Sequence, residues 1–298
     1  MLILAAALIY VFYPFFNLFI QRIRPAQEIQ TMGEDKVLHA VFLSVGQGDS
    51  MILKLGNWTA MVDTGMFEEA ETLVSDLVLY GVDHLDAIFI SHPHFDHMGS
   101  LQTVLNRYPV GTVYFADIPE ELTPTANWYE RALDVIGQKS VPLEVLHRGD
   151  IISAADGELT FTVHWSGGGK DLNDCSLVMT AEYGQNRILF MGDAEQDVER
   201  DLLSDGADLR ADVLKVGHHG TKYATTSRFL SAVKPSYAVI SCGLDNEYGY
   251  PKEEVLERLL SAGAQIFRTD IQGDIHFVMD GTRIAYEAGA PAVEETAA

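Results

Sequence analysis

Thiols are nearly absent: Cys175 and Cys242 are the only two in 298 residues. Neither a disulfide scaffold nor a thiolate zinc site can be built from so few. Basic side chains are scarce as well. Lys and Arg number 20 against 43 Asp and Glu, a formal charge of −23. The molecule as a whole is therefore repelled by nucleic acid and by anionic lipid, and such a partner must be met through a local basic patch or through metal ions. Between residues 37 and 287 there is no low-complexity run and no internal repeat. The glycine fingerprint of dinucleotide-binding folds is missing too: VGQGDS lacks its third glycine and leads into a strand-like run, not a helix. What is present is 47% hydrophobic and 21% charged. That is an ordinary globular balance with enough apolar material for a core.

Met1 to Ile20 contain no charged side chain. About 20 apolar residues make ~30 Å of helix, enough to cross a bilayer core, and no small-residue cleavage site follows. Residues 1–22 are thus expected to form a transmembrane anchor, 23–36 a linker, 37–287 one domain and 288–298 a frayed tail. Arg22 and Arg24 follow the apolar segment, which by the positive-inside rule places the domain in the cytoplasm.

Strand-like apolar runs, each closed by Gly or Asp, recur along the domain: VLHAVFLSV, SMILKLG, TAMVDTG, DAIFISH, ELTFTVHW, CSLVMTAEY, RILFMGD, ADVLKVG, YAVISCG and GDIHFVMD. Helical periodicity marks Glu68 to Tyr80, Gly99 to Tyr108, Asn127 to Gly137, Gln196 to Ser204, Ser227 to Val233 and Lys252 to Ala262. Two packed sheets flanked by helices suit this order better than a doubly wound sheet.

The chemistry concentrates in FISHPHFDHMGS. His92, His94, Asp96 and His97 fall within six residues, just past an apolar strand. Imidazoles at i and i+2 can point at one cation, and an Asp and a His a little further on can serve a second. Nitrogen and carboxylate donors suit zinc, manganese or iron. Asp63 in VDTG, Asp193 in MGDAE and His218 and His219 in KVGHHGT also stand at strand ends. Together they read as the rim of a dinuclear hydrolase site, with Asp193 able to bridge two metals. Arg210, Lys215, Lys222, Arg228 and Lys234 form a local reversal of charge around the histidine pair, with Asp212 the single acid among them. A basic strip beside two dications suits an anionic phosphate substrate, and the hydroxyl of Thr221 and the ammonium of Lys222 offer donors to phosphate oxygens.

HPHFDH resembles the HxHxDH signature of the metallo-β-lactamase superfamily. FLSVGQGDS, VDTG, SHPHFDHMGS, LNDCSLV, FMGDAE, LKVGHHGTKYATT, AVISCGLDNEYGYP and FRTDIQGDI resemble, more narrowly, the soluble hydrolase domain of ComEC-type DNA-uptake competence proteins and their stand-alone relatives. The resemblance implies an αββα sandwich with the metals at one edge of the sheets, and it favours an extracytoplasmic domain, against the two arginines. It implies that His92 and His94 hold one metal. Asp96, His97 and one of His218 and His219 hold the other, while Asp193 bridges and Asp63 orients the ligands. Asp96, His218 and Asp63 take the catalytic roles. Zinc-rich members have one more histidine between the HxHxDH and Asp193 segments, where this chain has Asn173 and Asp174. An oxygen donor there hardens the first position, so manganese rivals zinc. His164 is the alternative, although its place in FTVHWS suits a strand. The subgroup usually has a histidine where this chain has Tyr250, so Tyr248 and Tyr250 join Lys215, Thr221 and Lys222 as expected substrate contacts. The expected function is a phosphodiesterase or DNA nuclease with two Zn or Mn ions. A phosphocholine or other phosphoester esterase at the cell surface, and a tethered binding module with an inactive metal site, are the alternatives.

Overall fold

The computed structural model describes residues 36–288. The expected anchor, the linker up to residue 35 and the tail beyond 288 lie outside the described residues. Among the described residues no helix is long and apolar enough to cross a membrane.

The strands are β1 (Leu38–Phe42), β2 (Ser50–Leu55), β3 (Trp58–Thr64), β4 (Leu85–Ile90), β5 (Val110–Ala116), β6 (Leu143–Leu146), β7 (Ile151–Ala154), β8 (Leu159–Trp165), β9 (Val178–Tyr183), β10 (Asn186–Phe190), β11 (Val213–Lys215), β12 (Tyr237–Ile240), β13 (Gln265–Arg268), β14 (Ile275–Met279) and β15 (Ile284–Ala288). The helices are α1 (Ala70–Leu79), α2 (Phe95–Met98), α3 (Leu101–Arg107), α4 (Asn127–Lys139), α5 (Gln196–Ser204), α6 (Ser227–Val233), α7 (Glu253–Ser261) and α8 (Thr269–Gln272). One sheet has eight strands in the order β15-β14-β1-β2-β3-β4-β5-β6, and the other has seven in the order β13-β12-β11-β10-β9-β8-β7. Each sheet is half antiparallel and half parallel: β3 to β6 run parallel in the first and β10 to β13 in the second.

Side chains alternate between the faces of a strand, and the alternation builds the layers. Leu38, Ala40 and Phe42 of β1 enter a core between the sheets with Phe89, Phe161, Phe190 and Phe277. Val41, on the other face, packs with Leu73 and Leu77 of α1, Leu101 and Val104 of α3 and Ala132 and Val135 of α4. On the far side Leu189, Leu214 and Ala238 pack under Val198 and Leu202 of α5, Phe229 and Leu230 of α6 and Val255 and Leu259 of α7. The result is helix, sheet, sheet, helix, the expected αββα sandwich. Each fully buried Phe or Leu contributes about 1.5–3 kcal/mol. Helix α6 also starts where its sequence says it should, with Thr226 Oγ1 accepting the N–H of Phe229 at 3.2 Å.

In parallel α/β arrangements the loops beyond the carboxyl ends of the strands form the working rim. Here the ends of β3 and β4 in one sheet meet the ends of β10, β11 and β12 in the other, so chain segments far apart in sequence converge.

Candidate metal centre

Beyond β4 the chain runs through Ser91 and His92 and turns into the short α2, with the N–H of His97 on the carbonyl of His94 at 3.1 Å. That turn brings His92, His94, Asp96 and His97 to one side. Asp63, near the end of β3, adopts φ +57°, which Asp tolerates better than most residues. Its carboxylate accepts the N–H and Oγ–H of Ser91, each at 2.7 Å, and the Nδ1–H of His97 at 2.8 Å. The expected orienting role of Asp63 thus has a buried hydrogen-bond geometry. The VGQGDS loop closes against the same turn. Asp49 N–H donates to Asp96 O at 3.1 Å, and a Cβ on Gly48 would lie 2.5 Å from that oxygen, so the loop approaches this closely because residue 48 has no side chain.

The second sheet supplies the other half. Asp193 follows β10, its N–H donating to Ser176 Oγ at 2.9 Å. His218 and His219 follow β11 with φ of +46° and +51°. Two consecutive left-handed residues are strained by about 1–3 kcal/mol each, and they let neighbouring rings face one cluster. His219 donates Nδ1–H to Ser241 O at 2.9 Å, and His218 Nδ1 lies 2.9 Å from Glu195 Oε1. A carbonyl or carboxylate can only accept, so both rings carry their proton on Nδ1 and present Nε2 inward.

Asp193 stands between two ligand groups. Asp96, His97, Asp193 and His219 have ligand atoms all within 4.8 Å of one another, and so do His92, His94 and Asp193. Asp193 Oδ1 lies 3.3 Å from His97 Nε2 and 3.7 Å from His219 Nε2, while Oδ2 lies 3.9 Å from His92 Nε2 and 3.6 Å from His218 Nε2. His92 Nε2 and His94 Nδ1 face each other at 2.8 Å. Asp96 Oδ2 is 3.4 Å from His219 Nε2. Among the described residues His97 Nε2, Asp193 Oδ1 and His219 Nε2 are buried without a hydrogen-bond partner. Buried polar atoms are rarely left so, and three of them converging with a fourth donor from Asp96 is the pattern a divalent cation satisfies.

The electrostatics agree. Burial works against charge on every one of these groups, yet Asp193, Asp63 and Asp96 together lift the His97 imidazole well above its usual range. Burial likewise opposes a charged His219, but Asp193 and Asp49 push it up to about 10. Burial would raise the Asp193 carboxyl, and His97, His219 and His218 outweigh this and hold it well below the carboxylate range. Asp96 falls to about 2: His97 and His219 overcome its burial. His92 and His94 are held low, chiefly by burial, as neutral ligand nitrogens.

Other expected residues fall elsewhere. Asp174 is in neither group; its N–H bonds Asp171 Oδ1 at 3.0 Å and its carbonyl accepts the Trp165 indole at 2.8 Å. Asn173 Oδ1 and Asp174 Oδ1 are both buried without a hydrogen-bond partner among the described residues. His164 lies within β8 on Thr180 Oγ1 at 2.6 Å, a strand role. Lys215 is not a surface cation: its ammonium is fully buried and sits 2.6 Å from Asp49 Oδ2. Thr221 is buried, its N–H on His218 O at 2.9 Å. Arg210 is tied to Asp208 at 3.1 Å. Of the expected basic strip, Lys215 is buried while Arg210, Lys222, Arg228 and Lys234 are exposed; Lys222 is the exposed cation nearest in sequence to the histidine pair, over the Tyr223 ring at 5.0 Å. Tyr250 meets His218 edge to face with centroids 5.9 Å apart, and Tyr248 stacks on Tyr250 at 5.5 Å. Two participants were missed in the sequence: Asp49 in VGQGDS and Glu195, two residues after Asp193.

Comparison with known proteins fits this geometry. The chain is 28% identical over 257 residues to ComE operon protein 3 of Bacillus subtilis, covering 79% of this chain and 32% of that protein. It is 32% identical over 238 residues to competence protein ComA of Neisseria gonorrhoeae, covering 78% and 31%. The chain thus spans about a third of the length of these relatives. Among solved structures, the metallo-beta-lactamase fold protein YhfI of Bacillus subtilis superposes with a TM-score of 0.53 at 13% identity, covering 84% of this chain and all of that one. Residues 43–244 match the family model of the metallo-beta-lactamase superfamily, and with two ligand groups sharing Asp193 at the rim of an αββα sandwich, the chain belongs to that superfamily.

Proposed function

We propose that this protein is a metal-dependent phosphodiesterase that uses a pair of divalent ions, zinc or manganese, held on the two ligand groups. The observation that carries the reading is Asp193, whose two carboxylate oxygens face different groups of imidazoles. When bound, a pair of cations lowers the pKa of a shared water and offsets charge developing on an attacked phosphoryl group. The chain's own residues do the rest. Asp63, Ser241 and Glu195 fix the tautomers of His97, His219 and His218. His218, at the margin of the centre and partly exposed, is poised to hand a proton from Nε2 to a leaving oxygen. Burial opposes its protonation, but Asp193 and Glu195 raise its pKa, which favours the acid form.

Lys222 supports an anionic substrate, and the exposed face of Tyr248 flanks the same margin. Asp245 and Glu247, in the loop before Tyr248, and the net charge of −23 favour a small diester or a strand end over a long duplex lying across the surface. The relatives named for competence support DNA as the source of such diesters. The reading includes a membrane anchor over residues 1–22, with the domain outside the cytoplasm by likeness to the competence proteins.

The test is hydrolysis of bis-p-nitrophenyl phosphate with Zn or Mn supplied. Asp96→Ala and His97→Ala should each lower the rate by at least ~100-fold with unchanged circular dichroism. Wild-type rates in either variant would remove the reading.

A further inference from the structure

Beneath the ligand groups lies a second layer of charge that the proposed chemistry does not use. Asp49 and Lys215 are both fully buried and pair at 2.6 Å. Lys215 Nζ also donates to Val216 O at 3.0 Å. Taking two charges out of water costs several kcal/mol per ion and is recovered only with close pairing, so the place of the pair in the fold matters. Asp49 Oδ1 lies 3.4 Å from His219 Nδ1 and Oδ2 lies 4.0 Å from His97 Nδ1. The carboxylate therefore faces the outward nitrogens of the two imidazoles that point at Asp193 Oδ1. Asp49, Asp63 and His97 have ligand atoms within 4.8 Å of one another and would themselves attract a cation. The Lys215 ammonium already supplies one.

We propose that Asp49 is a positioning residue for the metal position formed by Asp96, His97, Asp193 and His219, and that Lys215 is its internal counter-ion. Ser241 O accepts the Nδ1–H of His219 at 2.9 Å, and the Asp49 carboxylate, 3.4 Å from the same nitrogen, adds the electrostatic attraction that aims Nε2 at the metal position. Lys215 balances the charge of Asp49 at 2.6 Å, fills the outer acidic pocket and leaves the metal ions to the inner groups. This gives the VGQGDS loop and the lysine of LKVGHHG one common purpose. The inference rests on the metal-centre reading.

The experiment uses the full chain, stripped with a chelator and titrated separately with Mn²⁺ and Zn²⁺ against a chromophoric competitor. Wild type, Asp49→Asn, Lys215→Met and the double variant are compared, with thermal melts of the stripped proteins alongside. Asp49→Asn loses the orienting carboxylate and leaves a buried ammonium beside the centre, so one of the two binding events should weaken ~10–100-fold. Lys215→Met leaves extra negative charge and should bind no more weakly than wild type. The double variant should fall between Asp49→Asn and wild type. If Asp49→Asn cannot be purified, the double variant, with no unpaired buried charge, carries the test: one binding event about tenfold weaker supports the inference. Wild-type affinity at both positions in Asp49→Asn or the double variant overturns it. So does equal weakening in the two single variants that simply adds in the double, the mark of a purely structural pair. Absence of metal binding in wild type would instead overturn the metal centre itself.

Discussion

Three of the four imidazole nitrogens that face Asp193 across the rim are set by what their rings do on the other side. Asp63 on His97, Ser241 O and Asp49 on His219, and Glu195 on His218 turn Nε2 inward each time. Asp193, joined by Asp63 at His97 and by Asp49 at His219, favours protonated rings when no cation competes, since both pKa values stand above the ordinary imidazole value. A metal must displace those protons. Its affinity should therefore fall as pH drops, by up to about tenfold per unit for each proton displaced. Calorimetry in buffers of different ionisation enthalpy should register at least one proton released as the position formed by Asp96, His97, Asp193 and His219 fills, and filling with no proton release would contradict the assignment. At the margin, Lys222→Ala should raise KM about fivefold for an anionic diester, the worth of about 1 kcal/mol for an exposed charge contact, and leave a neutral ester unaffected. Equal losses on both would remove the phosphate argument. Residue identity was legible in the sequence where donors cluster, as in HPHFDH. It was not legible where direction decides. Lys215 looked like part of a basic strip, yet it shares the face of Val213 on β11, and Val213 lies in the core between the sheets. The period of two could have shown this. Asp49 gave no such signal, because only the folded loop sets it behind His219.

Among the elements, six of the eight described helices were read to within two residues at each end because their apolar faces are continuous, while the one-turn α2 and α8 escaped. The central strands were read because both faces are buried. The strands that escaped were β6, β15, β7 and β13, which are the four sheet edges, and β5. An edge strand buries less and keeps a weaker apolar pattern; Leu143, Glu144 and Val145 of β6 are all exposed. β5 is interior, but Gly111 breaks its pattern, and a Cβ there would meet Asp86 O at 2.5 Å. Helix α1 carries a separate tension. Partial burial, with Asp274 nearby, raises the Asp76 carboxyl to about 7. A carboxyl with a raised folded pKa favours the fold only while protonated, so stability falls as pH climbs from about 4 to about 7 and stays reduced above. Asp76→Asn should raise Tm by about 2–4 °C at pH 8, corresponding to about 1 kcal/mol after allowance for solvent screening, and change nothing near pH 4. An equal shift at both pH values would assign the effect to packing.

At the scale of the molecule, the two half-parallel sheets explain why one centre draws on so much of the sequence. The carboxyl ends of β3 and β4 carry Asp63 to His97, those of β10 and β11 carry Asp193 to His219, and the core between the sheets fixes their distance. Three buried carboxylates, Asp49, Asp63 and Asp193, and the partly exposed Asp96 gather at that rim in a chain already at −23, and among the described residues one buried lysine offsets them. The fold is thus built to receive positive charge there. The direct test is the metal content of the purified chain, reconstituted with Mn or Zn and freed of excess ion, in wild type and in Asp193→Asn. Two ions per chain in wild type and at most one in the variant is the expected result. A wild-type chain that retains none with either metal, or a variant that keeps both, would contradict it.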